Sequence, residues 1–154
     1  VTASMLIAEM AAYYRTKGMT LYDAMETMYE KYGYYCEQTI SITMPGVAGL
    51  TRMQELMAEL RATPLTDVAG NKVEFVRDYQ PGTRKNVATG ETEQIELKGQ
   101  NVLYYELEGG TSFIIRPSGT EPKVKVYIMA RAEDKASAAA KVEALAAASK
   151  EIVK

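Results

Sequence analysis

Between Val102 and Ala130 the chain reverses twice with almost no room to do so. Val102–Leu107, Thr111–Arg116 and Lys123–Ala130 read as strands, joined by Glu108-Gly109-Gly110 and by the polar bend Pro117–Pro122. A parallel connection needs a crossover of about a dozen residues, so consecutive strands this close must pair antiparallel. In the last strand Val124, Val126 and Ile128 alternate with Lys123, Lys125 and Tyr127. That period of two gives the strand one apolar and one polar face. The apolar face demands a cover, and the rest of the sequence supplies helices.

Helical spacing recurs in four places. Met5, Leu6, Met10, Tyr13 and Tyr14 mark one helix, which Gly18 ends. Leu21, Met25, Met28, Tyr29 and Tyr32 mark a second, with Thr20 as N-cap, Asp23 three residues on, and Gly33 as the stop. Leu50, Met53, Leu56, Met57 and Leu60 mark a third over residues 50–62, closed off by Pro64. Asp134 caps a fourth, Ala-rich helix whose face is Val142, Leu145, Ser149, Ile152 and Val153. Further strands are expected at Thr39–Met44 and Lys72–Tyr79, with a short one at Gln94–Leu97. "PGVAG", Pro45–Gly49, reads as a turn, and Gln80–Glu93, with Pro81, Gly82 and Gly90, as a mobile loop. The plan is α+β: an antiparallel sheet with the third and fourth helices packed on one face, preceded by two helices. The first two stripes exceed what a small sheet needs. Residues 1–35 are therefore expected to be the helical tail of a preceding domain, joined near Tyr34 to a C-terminal domain over 36–154.

Charge and composition remove several classes of function. The 154 residues carry 18 basic and 20 acidic side chains, so no global field draws the chain to nucleic acid or membrane. Any anion site must be local. No apolar run approaches the roughly 20 residues that span a bilayer, and no leader peptide is expected. Cys36 is alone, which excludes an intrachain disulfide, fits a reducing cytoplasm and reads as a small buried hydrophobe. There is no histidine. Imidazole general bases, Ser-His-Asp triads and the usual zinc sites are thereby excluded.

The bend "RPSGTEPKVK" concentrates anion chemistry. Arg116 offers a planar fork suited to two phosphate oxygens. Ser118 and Thr120 add hydroxyls. Gly119 lets the main chain approach a ligand and adopt a positive φ, and consecutive N–H groups in such a turn make a concave anion nest. Pro117 and Pro122 stiffen both shoulders, and Lys125 shares a strand face with Lys123. The same residues are also the ordinary vocabulary of β-turns, and the Walker spacing is missing. Residue types alone leave both readings open.

A resemblance decides between them. "FIIRPSGTEPKVKVYI", Phe113–Ile128, closely resembles the phosphate-binding loop in the C-terminal domain of the α-D-phosphohexomutases, the superfamily of phosphoglucomutase and phosphomannomutase. "LIAEMAAYYRTKGMTLYDAMETMYEKYGYY" is similar to the end of that family's third domain, and "TISITMPGVAGLTRMQELMAELRATP" to the opening strand and helix of its fourth. The similarity is weakest from Gln80 to Gln100. It implies that Arg116, Ser118, Gly119 and Thr120 hold the substrate's non-reacting phosphate. The family often has Arg where Lys125 stands; Lys keeps the charge and loses the two-pronged geometry. Glu121, an acceptor, is expected to order the loop.

The resemblance also implies what lies elsewhere. The family's phosphorylated serine sits in Thr-Ala-Ser-His-Asn-Pro, whereas Val1-Thr2-Ala3-Ser4 runs on into Met5-Leu6-Ile7. The metal loop Asp-x-Asp-x-Asp-Arg is absent, since Asp23, Asp67, Asp78 and Asp134 are scattered, and so is the sugar-recognition Glu-Glu-Ser. The implied enzyme interconverts hexose 1-phosphate and 6-phosphate through a bisphosphate, with Mg2+ and the N-terminal domains supplied outside these residues. This chain is then expected to hold no catalytic residue and to be inactive alone. Phosphomannomutase or dual sugar specificity is the alternative within enzymes. From another class, a free-standing anion- or nucleic-acid-binding module stays possible, although no strand interleaves aromatic and basic residues on one face.

Overall fold

Capping residues start two of the four helices where the sequence marks them. The computed structural model describes residues 1–154 apart from the side chain of Val47. Helix α1 runs Thr2–Thr16 and α2 Leu21–Tyr32. Thr20 and Asp23 form a reciprocal capping box at the start of α2: the Asp23 N–H donates to Thr20 Oγ1 and the Thr20 N–H to Asp23 Oδ2. The chain continues as β1 Tyr34–Thr43, α3 Gly46–Ala62, β2 Asp67–Val68, β3 Asn71–Asp78, β4 Thr83–Asn86 and β5 Thr92–Gln94. Then come β6 Leu103–Leu107, a 3-10 turn at Glu108–Gly110, β7 Thr111–Pro117, β8 Lys123–Ala132 and α4 Lys135–Ile152. Asp134 caps α4 by accepting from the Ser137 N–H.

The strands form one antiparallel sheet in the order β1-β8-β7-β6-β3-β4-β5, with β2 paired to β3. The hairpins β6–β7 and β7–β8 place neighbours in sequence side by side, and β1 adds to the free edge of β8 over its whole length. The predicted α+β class and single covered face are both present. Val73, Val76, Leu103, Tyr105, Leu107, Phe113, Ile115, Val124, Val126 and Ile128 are all buried in one cluster. Met53, Leu56, Met57 and Leu60 of α3 and Val142 and Leu145 of α4 join it from above. Each such aliphatic side chain contributes about 1.5–3 kcal/mol on burial, so this cluster dominates the fold's stability.

Four local readings are corrected. "PGVAG" is the start of α3, with Pro45 as N-cap. The glycine at 49 serves close packing there, because a Cβ would sit 1.8 Å from the Met44 carbonyl oxygen. The region read as a mobile loop contains the hairpin β4–β5, so the short strand lies at Thr92–Gln94 and not Gln94–Leu97. Its strands lack apolar alternation because they sit at the sheet's edge, where charged residues are the norm. The strand expected at Thr39–Met44 begins earlier, at Tyr34, which pairs with Ala132. Finally, Gly119 does not take a positive φ.

The first two helices stand apart from this core. No residue of α1 is buried and α2 buries only Ala24, while Met5, Leu6, Ile7, Tyr22 and Tyr32 are more than half exposed. Tyr29 stacks on Tyr34, and Arg131 donates from Nε and Nη2 to the Tyr32 carbonyl oxygen at 3.2 and 3.0 Å. Among the described residues, no helix is long and apolar enough to cross a membrane.

Candidate functional site

The uncovered face of the sheet carries the polar half of each strand. Register sets its layout: Ser41 of β1, Lys125 of β8 and Arg116 of β7 form one row, and Tyr127, Ile114 and Tyr104 form the next. Lys125 and Arg116 are therefore direct cross-strand neighbours. Like charges opposite one another cost stability. Neither side chain has a hydrogen bond or ion pair to any described residue. Arg116 is exposed and Lys125 half-buried. The fold thus holds two cations together at the end of a hairpin with no ion-paired acid among the described residues, the nearby Glu121 being engaged by Lys123.

The bend itself is built by main-chain bonds. The Ser118 N–H donates to the Lys123 carbonyl at 2.9 Å, and the Lys123 N–H to Glu121 at 2.8 Å. The Met44 N–H donates to the Pro122 carbonyl at 2.7 Å, tying the bend to the junction of β1 and α3. The expected run of free amides is accordingly incomplete. The Ser118 N–H is committed to the turn, and the Thr120 N–H leans on Ser118 Oγ at 3.4 Å. Gly119 and Glu121 keep amides with no acceptor among the described residues. Space remains above Gly119, where an added Cβ meets nothing within 4 Å. Glu121 pairs with Lys123, and this contact, with a smaller effect of Lys125, holds its carboxyl below the usual range. That agrees with a loop-ordering role.

A second cationic group lies further across the same face. Arg84 donates from Nε and Nη2 to Glu106 at 2.7 and 2.9 Å, and Arg77 from Nε to the same carboxylate. Arg84 also reaches Glu93 and lies 3.5 Å from the Phe75 ring centroid. The hydrogen bond from Arg84 is the leading cause of the low Glu106 pKa. These arginines are neutralised, unlike Arg116 and Lys125. Sequence reasoning did not single them out, because the cluster assembles across β3, β4 and β6. Single strands also mix the two types, against the expectation: Lys123, Lys125 and Tyr127 share one face of β8, and Phe75 and Arg77 one face of β3.

The residues set aside in the sequence have structural occupations. Ser4 lies exposed within α1. Asp23 and Asp134 cap helices, Asp67 accepts from the Gly70 N–H, and Asp78 pairs with Arg61. No group of three or more His, Cys, Asp or Glu side chains among the described residues is arranged to hold a metal ion. Cys36 is half-buried against the core. A cavity of about 800 Å³ forms an open groove between α1 and α2, lined by Ala11, Ala12, Arg15, Thr20 and Tyr22.

The profile described as phosphoglucomutase/phosphomannomutase, C-terminal domain, matches residues 52–148, which include the whole bend. A phosphoglucomutase of Staphylococcus saprophyticus is 34% identical over 118 residues, covering 76% of this chain and 21% of that protein. One from Staphylococcus aureus is 31% identical over 141 residues, covering 91% and 25%. In structure, the exocytosis-sensitive phosphoprotein parafusin of Paramecium, a phosphoglucomutase in open form, aligns at a TM-score of 0.52 with 14% identity, over 91% of this chain and 24% of that one. At that identity the likeness speaks for the fold. The chain spans a quarter or less of the length of the relatives it matches. The matched residues, the bend they contain and the shared fold together make this chain a member of the phosphoglucomutase/phosphomannomutase family, as its C-terminal domain.

Proposed function

We propose that this domain grips the non-reacting phosphate of a hexose phosphate for a parent phosphoglucomutase. The observation that carries the reading is the Arg116–Lys125 pair, which forms no ion pair among the described residues and flanks the bend that bears Ser118 and Thr120. A bound phosphate would turn that repulsion into attraction and draw charge-assisted bonds worth about 1.5–3 kcal/mol each, before ordering and desolvation are set against them. Ser118, Gly119 and Thr120 would supply the remaining donors. Binding by the domain alone is then weak.

In the parent enzyme a phosphoserine on another domain would pass its phosphoryl group to a sugar hydroxyl. The hydroxyl's proton passes, by way of a base outside this chain, to the serine oxygen as the new P–O bond forms and the serine P–O bond breaks. The bisphosphate then turns over and returns its other phosphate to the serine. The Arg116 site must accept a phosphate at C1 or C6 alike. The Mg2+ that the resemblance implies does not fit the side chains present here, and the residues that hold it would lie outside this chain. Residues 1–35 would belong to the domain preceding this one, in a cytoplasmic enzyme.

The test is kinetic. In the parent enzyme, Arg116→Ala should raise KM and lower kcat/KM for glucose 1-phosphate by about tenfold or more, some 1.4 kcal/mol. Unchanged kinetics would defeat the assignment. Equal turnover of mannose 1-phosphate would defeat the glucose reading, which the names of the staphylococcal relatives support.

A further inference from the structure

The bend holds a third cation that the phosphate reading leaves aside. The Ser118 N–H donates to the Lys123 carbonyl, so the β7–β8 ladder runs one pair beyond Pro117 and Val124 and sets Lys123 beside Ser118. Strand alternation puts Lys123 on the open face with Lys125, and β1 places Thr43 opposite it. Lys123 therefore stands at the mouth of the bend. Its ammonium is already engaged, with Nζ 2.5 Å from Glu121 Oε2.

The two partners of this pair are unequally placed. The Glu121 side chain is 59% exposed and that of Lys123 26%, so the carboxylate is the outer member and the ammonium the inner one. The Lys123 N–H also donates to the Glu121 carbonyl at 2.8 Å, which ties the two residues through their main chains. An ion pair this open to solvent contributes little to stability. Its larger effect is on the charge that an incoming anion meets. Arg116, Lys123 and Lys125 bring three positive charges to one end of a hairpin, and Glu121 cancels one of them. The two that remain match a phosphate monoester, a dianion above its second pKa of about 6.

We propose that Glu121 is an internal counter-anion: it offsets Lys123 and so limits how tightly the bend holds a phosphate. The proposal rests on the phosphate reading above and adds to it a brake on affinity. The reaction gives the brake a use. The same bend must take one phosphate of the sugar, release it and take the other. Charge-assisted bonds are the strong ones, and a tighter grip shows mainly as slower release. Three cations without a counter-anion would hold each pose longer and bind ground states without helping the chemical step. Ordering the bend and offsetting Lys123 are one bond seen from two sides, and they differ in what its loss does. A pair that only orders the donors weakens phosphate binding when either member is removed. A counter-anion strengthens binding when its charge is removed, because the freed ammonium stands beside Ser118.

The experiment is a titration of this chain with inorganic phosphate and with glucose 1-phosphate at fixed ionic strength, followed by NMR through the amides of residues 118–121. Glu121→Gln should tighten both ligands by about threefold or more, and Lys123→Met should weaken both by a similar factor. The double variant restores the balance of charge and should bind within about twofold of the unsubstituted chain. A pair that merely ordered the bend would weaken binding in all three variants. Failure of Glu121→Gln to tighten binding, or of the double variant to recover it, overturns the brake; if Arg116→Ala still loses affinity, the anion site stands without it. Should neither ligand move the amides of 118–121 in the unsubstituted chain or in Glu121→Gln, the anion site falls and the brake with it.

Discussion

Two pairs of basic residues share the open face of the sheet and meet opposite fates. Arg77 and Arg84 close on the carboxylate of Glu106, with Glu93 as a further partner. Arg116 and Lys125 stand opposite one another and form no ion pair among the described residues, the nearby Glu121 being paired with Lys123. A fold selected for stability alone would treat both pairs alike, since opposite charges across strands stabilise and like charges do not. The contrast supports the proposal that a ligand offsets the cost at Arg116.

The comparison can be broken from either side. The largest effect is expected at the satisfied pair: Glu106→Gln leaves two half-buried arginines facing a neutral amide and should cost about 1–3 kcal/mol in urea unfolding. The same variant bears on pH. Glu106 has its native pKa below the ordinary 4.5, so its contribution is complete above that value and is lost as pH falls through the native pKa. Unfolding measured from pH 7 to 3 should show a decline below about 4.5 that is shallower in Glu106→Gln; identical slopes would mean the network adds nothing.

Next comes Arg116→Ala, with a loss of about tenfold in phosphate affinity by titration, against a change within about twofold for Arg84→Ala. Equal losses would erase the distinction between the pairs. Lys125→Glu sharpens it: the new cross-strand pair with Arg116 should raise stability by about 0.2–1 kcal/mol while phosphate binding falls away. The smallest effect belongs to Gly119→Ala. With no positive φ and open space at the Cβ, the unfolding free energy should move by less than about 0.5 kcal/mol, and any loss of phosphate affinity then reports close approach of ligand to backbone.

How much of this was legible depended on where each signal lives. The covered half of the sheet was readable because Val124, Val126 and Ile128 repeat at the period of a strand with one buried face. The caps at Thr20 and Asp134 were readable because capping is local chemistry. β4 and β5 were not, since an edge hairpin held by Arg84, Glu93 and Asn86 shows no apolar repeat. The first turn of α3 was hidden by Gly46 and Gly49, which suit a turn until the packing of Gly49 on Met44 is known. At the site, the bend residues were named from the sequence, but the facing of Arg116 by Lys125 follows from register. The tyrosine row follows from the order in which β6, β7 and β8 lie together.

The extent of β1 has a mechanical consequence. Its ten pairs with β8 run from Tyr34 at the helices to Thr43, one residue short of the amide that fastens the bend. Between the last residue of α2 and the first of β1 stands Gly33 alone, at a φ of 94°. A displacement of the helices is therefore delivered along a stiff rod to the far end of the sheet, with a single residue to absorb it.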